Sequence, residues 1–273
     1  MKRYTVFGGR GFIGSEIVSM LEAAGQNVWV PPRDDESVFD TDLGTVIYSA
    51  GQGDCKNAPL GVFDANCRLL ADLLARGKFE RLLYVSSTRV YMNQDSAVEG
   101  DDLKVCSDDQ RRLFNLTKLV SEELCLKSGR NITIVRPSNV YGLALNSPLF
   151  LPTITRNAVN YGRVDMYIHE SYAKDYISVQ DVAKACILLS VHPDSLGEII
   201  NVAAGYNITA GEIAEVIKSN VECEVIWHDI SFPKEVFPVT DISKMKLLLG
   251  DCSKRNVLED LGTLISSFRK YTL

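Results

Sequence analysis

The sequence predicts an α/β fold, a doubly wound parallel sheet covered by helices on both faces, with a smaller discontinuous lobe drawn from the later part of the chain. Three observations predict it. Short apolar runs alternate with segments of helical period through the first two-thirds of the chain, the pattern of a parallel sheet with crossover helices. A glycine-rich turn joins the first of those runs to the first helical segment. The chain has 273 residues, 46% hydrophobic and 23% charged, which is globular composition on the scale of one large domain with an annex.

The elements follow in order. Residues 4–7 read as a strand, and residues 12–24 place Phe12, Ile13, Ile17, Met20 and Leu21 at helical spacing, ended by Gly25. Residues 28–30, 46–50, 82–85 and 132–135 are further strands, separated by helices at 63–75 and 111–127. Right-handed crossovers between them set a ligand crevice at the carboxyl ends of the strands. Beyond Gly142 the pattern loosens. Residues 146–163 carry Pro148 and Pro152 and read as a loop leading into a helix, 178–190 as a helix, and 199–202 as a strand. Thr209-Ala210-Gly211-Glu212 has capping-box spacing and opens an amphipathic helix, and residues 241–249 and 257–271 close the chain as helices. The expected division is a dinucleotide-binding domain from 1–142 and 174–204, and a substrate-binding lobe from 143–173 and 205–273.

Charge and cysteine usage narrow the function. With 29 Lys and Arg against 35 Asp and Glu, the net charge of −6 suits no phosphate backbone, so nucleic acid is excluded as a main partner. The seven cysteines are dispersed, with no Cys-x-x-Cys pair, as in a reduced compartment, and the three histidines give no zinc spacing, so no metal is expected. No leader-like or membrane-spanning apolar stretch is present, and a cytoplasmic location is the expectation.

Gly8-Gly9-Arg10-Gly11-Phe12-Ile13-Gly14 carries the chemistry most clearly. One glycine permits the tight turn, another lets backbone approach a pyrophosphate, and a third lets helix and strand pack closely. The helix N-terminus then presents free N–H groups and partial positive charge to the phosphates. A glycine-rich turn alone is weak evidence, but here it stands between strand and helix, the context that a dinucleotide site requires. Where such units place an acidic residue for the adenosine ribose, this chain reads Val30-Pro31-Pro32-Arg33. Arg33 and Arg10 together suit a 2′-phosphate, so NADP is expected; with Asp34 or Asp35 in the acidic role, NAD would serve instead.

These residues resemble the extended short-chain dehydrogenase/reductase family of nucleotide-sugar epimerases, dehydratases and reductases, over nearly the whole chain. Besides the glycine turn, Val46-Ile47-Tyr48-Ser49-Ala50 is similar to the strand beside the cofactor, and Asn66 to the asparagine of the next helix. Leu83-Tyr84-Val85-Ser86-Ser87-Thr88-Arg89-Val90-Tyr91 resembles the segment bearing the catalytic serine, which falls on Ser87. Arg136-Pro137-Ser138-Asn139-Val140-Tyr141-Gly142, Lys174-Asp175-Tyr176 and Asp241-Ile242-Ser243-Lys244 resemble later landmarks. The Arg10 position is also similar to that in the family's NADP-dependent GDP-fucose synthases. The resemblance implies a cofactor held by Gly8, Arg10, Gly11, Phe12, Ile13, Gly14, Arg33, Ala50 and Lys118, with Ser87, Asn139 and Tyr141 on a nucleotide-activated sugar. It also implies a homodimer through the helices at 63–75 and 111–127, where Leu113, Leu116, Val120 and Leu124 form an apolar stripe. The alternative is that this stripe faces the subunit's own sheet.

One departure outweighs the matches. The family's Tyr-x-x-x-Lys pair is here Phe114-Asn115-Leu116-Thr117-Lys118, and none of the eleven tyrosines forms such a pair elsewhere. A phenyl ring cannot donate or accept the proton that accompanies hydride transfer. Tyr91, Cys106, Asp108, Asp109 and Tyr141 are the candidate substitutes. Two readings follow: an enzyme of the epimerase, dehydratase or reductase type with atypical proton transfer, or a catalytically silent protein that keeps cofactor or sugar-nucleotide binding for a structural or regulatory role. A second departure is length. Only a short stretch separates the second strand from Val46, with Asp40-Thr41-Asp42-Leu43 as the remnant of a missing helix-and-strand unit. The sugar and its nucleotide depend on loops at 143–172 and 205–238, which show no readable code.

Overall fold

The computed structural model describes residues 2–229, 235–252 and 255–271. Residues 230–234, inside the segment 205–238 expected to select the sugar, lie outside the described residues.

The chain opens with β1 (Arg3–Phe7), α1 (Phe12–Ala23), β2 (Asn27–Trp29) and β3 (Thr45–Tyr48). A short α2 (Pro59–Phe63) runs through one π-helical turn, Asp64–Arg68, into α3 (Leu69–Arg76). Then come β4 (Arg81–Val85), α4 (Arg112–Lys127) and β5 (Ile132–Pro137). The later half supplies β6 (Asn139–Tyr141), α5 (Phe150–Tyr161), β7 (Arg163–Met166), β8 (Ala173–Ser178) and α6 (Val179–Leu189). It ends with β9 (Ile199–Val202), β10 (Asn207–Thr209), α7 (Ala210–Asn220), β11 (Glu224–Trp227), α8 (Ser243–Leu249) and α9 (Val257–Tyr271).

Six parallel strands form the main sheet in the order β2-β1-β3-β4-β5-β9. Every residue of β3 and β5 is buried, as expected of central strands covered on two faces. One face carries Ile17 and Leu21 of α1 with Val182, Cys186 and Leu189 of α6; the other carries Leu70, Leu73 and Leu74 of α3 with Cys125 of α4. The order reverses between β1 and β3, and the crevice for a ligand opens there. The chain between β2 and β3 holds only the 3₁₀ turn Glu36–Phe39 and a single bridge from Asp42 to Lys78, so β2 is the sheet's edge.

A second core gathers Leu151 and Ile154 of α5, Ile213 and Ile217 of α7, and Leu261 and Ile265 of α9. The three-stranded sheet β10-β8-β6 and the pair β11-β7 lie outside the main sheet. The capping box that opens α7 is present in full, with the Thr209 hydroxyl accepting the Glu212 amide while Glu212 accepts the Thr209 amide.

Helix α4 packs unusually. Asn115, Thr117, Lys118, Ser121 and Glu122 face inward, whereas Leu116, Val120 and Leu124 are exposed. The apolar stripe therefore does not cover the subunit's own sheet. Leu60 and Phe63 of α2 are exposed as well. No helix among the described residues is long and apolar enough to cross a membrane.

Candidate active site

The glycine turn shows why a side chain is excluded at three of its positions. Gly8 has φ +77°, and a Cβ there would stand 2.5 Å from the Ala50 amide nitrogen. A Cβ on Gly9 would meet a Val30 methyl at 2.8 Å, and one on Gly14 would overlap the Gly8 carbonyl oxygen. The Gly11 amide donates to Gly8 O at 2.8 Å, closing the turn, and Gly11 caps α1 with no side chain between the first amides and the crevice. Backbone thus forms the floor of a cradle in front of a helix N-terminus, whose first amides have no intrahelical acceptor. Phe12 is partly exposed at the mouth, and Ile13 packs into the core beneath it.

Arg10 reaches back across the turn, its Nη1 donating to the Pro31 carbonyl at 3.2 Å. That bond holds one guanidinium at the end of β2, near the exposed Arg33. The Asp35 carboxylate is engaged otherwise, accepting the Ser37 amide at 3.0 Å as the cap of the 3₁₀ turn. Asp34 is exposed in the left-handed region at φ +63°.

Across the crevice, Ser87 stands two residues past the end of β4 and its hydroxyl accepts the Arg89 amide at 3.1 Å, capping the 3₁₀ turn Thr88–Tyr91. Lys118 of α4 donates from Nζ to the Val85 carbonyl at 2.9 Å, which brings it beside the strand end that carries Ser87. Burial pulls its pKa down to about 8, against the opposing effect of Glu122. Phe114 lies one turn earlier, its ring centroid 5.7 Å from Nζ. Asn66 organises the third wall. It sits in the π turn, accepts the Gln52 amide at 3.1 Å, and donates to Gln52 O at 3.2 Å and to the Thr117 hydroxyl at 2.9 Å. The π turn thereby pins the loop after β3 to the helix that carries Lys118.

The proposed stand-ins for tyrosine are engaged elsewhere or lie open to solvent. Tyr91 donates to Asn201 Oδ1 at 2.8 Å and accepts from Arg136 at 2.7 Å; burial pushes its hydroxyl up to about 12, with Arg136 opposing. Tyr141 donates to Asp260 at 2.8 Å, and burial, then that carboxylate, hold its hydroxyl far above its usual range. Asp109 is paired with Arg89 at 2.8 Å and accepts from Asn115 at 2.9 Å. The Cys106 sulfur is in contact with the Asn93 amide at 3.8 Å, and Asp108 is exposed. Asn139 donates to the Asp175 carbonyl at 2.8 Å.

An ionic cluster beside Phe114 is absent from the sequence reading. Arg89 pairs with Asp109 and, at 2.9 Å, with Glu235. Glu235 also accepts from the Tyr172 hydroxyl at 2.9 Å and faces Lys174 at 3.8 Å. Burial lowers Lys174 to about 8, opposed by Glu235 and reinforced by Arg89 and Arg111. Arg111 stacks its guanidinium 4.7 Å from the Phe114 ring centroid. The only local signal was the charge density of Asp108-Asp109-Gln110-Arg111-Arg112.

A six-stranded parallel sheet with a turn closed to side chains at Gly8, Gly9 and Gly14 at its switch point defines an α/β protein of the dinucleotide-binding, Rossmann-like type. The model of the NAD dependent epimerase/dehydratase family matches residues 4–203, and the chain belongs to that family. A search of curated proteins gave no match. Among solved structures, MoeE5 in complex with UDP-glucuronic acid and NAD superposes with a TM-score of 0.86 at 21% identity, over 99% of this chain and 100% of that one. RMD from Pseudomonas aeruginosa, complexed with NADPH, gives 0.78 at 22% identity over 100% of both chains. TunA, an NAD dependent NDP-hexosamine 5,6-dehydratase involved in tunicamycin biosynthesis, gives 0.80 at 19% identity over 100% of this chain and 99% of that one. At these identities the likeness is one of fold.

Proposed function

We propose that this protein binds NADP(H) and acts on a nucleotide-activated sugar as an enzyme of the epimerase, dehydratase or reductase type, with proton transfer that does not use a tyrosine. The observation that carries the reading is Lys118 Nζ, fixed 2.9 Å from Val85 O two residues before Ser87, together with a glycine turn that has no room for a side chain at Gly8, Gly9 and Gly14.

The residues fit the cofactor. Backbone at Gly8, Gly11, Phe12, Ile13 and Gly14 would take the diphosphate, and Ala50 would form the wall where Gly8 meets the loop after β3. Arg10 and Arg33 would take a 2′-phosphate: Arg10 is tethered to the Pro31 carbonyl, Asp35 caps the 3₁₀ turn, and Arg33 is exposed next to the exposed Asp34. Lys118 would donate to the nicotinamide ribose. When bound, the nicotinamide supplies hydride acceptance and return. Ser87 would donate to an oxygen of the sugar, and Asn139 and Tyr141 would line the sugar side. Phe114 leaves the reacting centre without a phenolic proton donor, so a water or another bound group completes the transfer. The MoeE5 and TunA structures, with a UDP-sugar and an NDP-hexosamine activity respectively, support a nucleotide sugar as substrate.

The exposed Leu116, Val120 and Leu124, with Phe63, form the face through which we read a homodimer.

Calorimetric titration with both dinucleotides, followed by nicotinamide absorbance with a panel of nucleotide sugars, tests the reading. Tighter binding of NADP than NAD and slow but real turnover are expected. Binding without any turnover on the panel would favour the silent, structural or regulatory alternative, and absence of dinucleotide binding would end both.

A further inference from the structure

The ionic cluster beside Phe114 is out of charge balance. Among the described residues it holds three cations, Arg89, Arg111 and Lys174, against two carboxylates, Asp109 and Glu235. Arg89 is bonded to both carboxylates, and Lys174 faces Glu235. Arg111 is left over. Its guanidinium forms no hydrogen bond and no ion pair with a described residue, although the side chain is half-buried. Burial and then the charge of Arg89 weigh against its ionised form, with Cys55, Glu235 and Asp109 opposing from a distance, and a guanidinium stays protonated in proteins. A partly desolvated guanidinium without a bonded counter-ion gains most from an anion that arrives with a ligand.

The position of Arg111 says which part of the ligand that anion belongs to. Its guanidinium stacks on the Phe114 ring, one turn of α4 before Lys118. It also borders the loop after β3, where a Cβ on Gly53 would lie 2.9 Å from its Nη2. The cofactor's own phosphates have their cradle at the separate glycine turn, so Arg111 addresses the reacting end of the second substrate. The planar five-donor fork of arginine matches a carboxylate bidentately.

We propose that Arg111 binds a carboxylate on the sugar ring, and that the chain is selective for nucleotide-activated acidic sugars of the uronic-acid class. This rests on the nucleotide-sugar reading above and narrows it. A diphosphate could supply the same anionic chemistry to Arg111, so the test separates the two sources.

The full chain, saturated with NADP, is titrated with two pairs of probes: UDP-glucose and UDP-glucuronic acid, GDP-mannose and GDP-mannuronic acid. In at least one pair the acidic member should bind about 10–100-fold more tightly, the range of a charge-assisted bond in a desolvated site. Arg111→Gln should reduce that preference to about threefold or less while the neutral member binds as before, and Arg111→Lys should keep part of it. Retained dinucleotide affinity in both variants shows that they fold. Equal binding of the acidic and neutral members to the unmodified protein overturns the inference and leaves the nucleotide-sugar reading standing. So does a loss of both members in Arg111→Gln, which would place the diphosphate on Arg111. Failure of all four probes to bind overturns the inference together with the reading beneath it.

Discussion

Lys118 and Val85 are joined by a 2.9 Å hydrogen bond from a buried ammonium to a strand-end carbonyl, with no carboxylate bonded to that ammonium among the described residues. The bond orients Nζ but does not offset the loss of water around it, which is why burial pulls the group from 10.5 to about 8. The sign of the linkage is set by that depression. Between about pH 8 and 10.5 the unfolded chain holds the proton and the folded chain does not, so this group's contribution to stability rises with pH across that window. Below about pH 8 its penalty is complete, at about 3 kcal/mol. Lys118→Met should therefore be more stable than the unmodified protein at pH 7, with the difference shrinking by pH 10. Denaturant unfolding of both proteins at several pH values measures it, and a difference that does not change with pH would refute the shift.

Phe114→Tyr restores a hydroxyl on the ring that faces Lys118 at 5.7 Å. If the missing phenol is what limits proton transfer, turnover with the accepted nucleotide sugar should rise by roughly 10²-fold or more, the lower end for a positioned acid or base. Arg111 stacks on the same ring and would remain in place. Nicotinamide absorbance under steady state reads the rate. No gain, with cofactor binding intact, would mean that the cluster around Arg111 and Lys174 has remade the pocket for another proton route.

The legible parts of this molecule are those whose signal is local. The central strands declare themselves because burial on both faces demands unbroken apolar runs such as Val46-Ile47-Tyr48, and α7 because its capping box lies within four residues. The strands β6, β7, β8, β10 and β11 give no such signal; Arg163-Val164-Asp165-Met166 pairs only with one other short strand and mixes charge with apolar residues. The segment at 63–75 has helical period, but the π turn inside it comes with the tertiary bonds of Asn66 to Gln52 and Thr117. The Arg89–Glu235 pair spans 146 positions, so no window of sequence contains it. The outward leucines on α4 have a related cause. The helix buries polar groups that find partners across the fold, such as Glu122 with Arg136 and Ser121 with the Asn66 carbonyl.

Cofactor choice turns on Arg10 and Arg33. Asp35 is used as the cap of the 3₁₀ turn, Arg10 is tethered to Pro31 O, and Arg33 offers a second, exposed guanidinium next to the exposed Asp34. NADP should bind more tightly than NAD, and Arg10→Ala or Arg33→Ala should each weaken NADP about 5–20-fold while changing NAD little. Equilibrium titration decides it, and tighter binding of NAD to the unmodified protein would reverse the assignment.

The outward face of α4 predicts the oligomeric state. Leu116, Val120 and Leu124 are 39%, 48% and 39% exposed and line one side of the helix, the face through which the proposed dimer would form. Light scattering should give twice the chain mass, and Val120→Glu should shift it to the monomer. A monomeric mass for the unmodified protein would dismiss the dimer.

Glu122 and Arg136 form a bidentate pair, with bonds of 2.9 and 2.6 Å between side chains that are almost completely buried. The same carboxylate accepts from Ser86 at 2.5 Å, and the same guanidinium donates to Tyr91, which continues to Asn201. This network links α4 and β5 to the segment after β4 that carries Ser86, Ser87 and Tyr91. Removing one partner leaves the other as a buried charge without a counter-ion, so Glu122→Ala should cost about 3–5 kcal/mol of stability. Replacing both with apolar residues of similar size, Glu122→Leu with Arg136→Met, should cost markedly less than Glu122→Ala alone, because no charge is then stranded. Urea unfolding of the three variants measures the difference. If the double variant is as unstable as the single one, the network holds the backbone of β4 through Ser86 and Tyr91, and its worth is geometric instead of electrostatic.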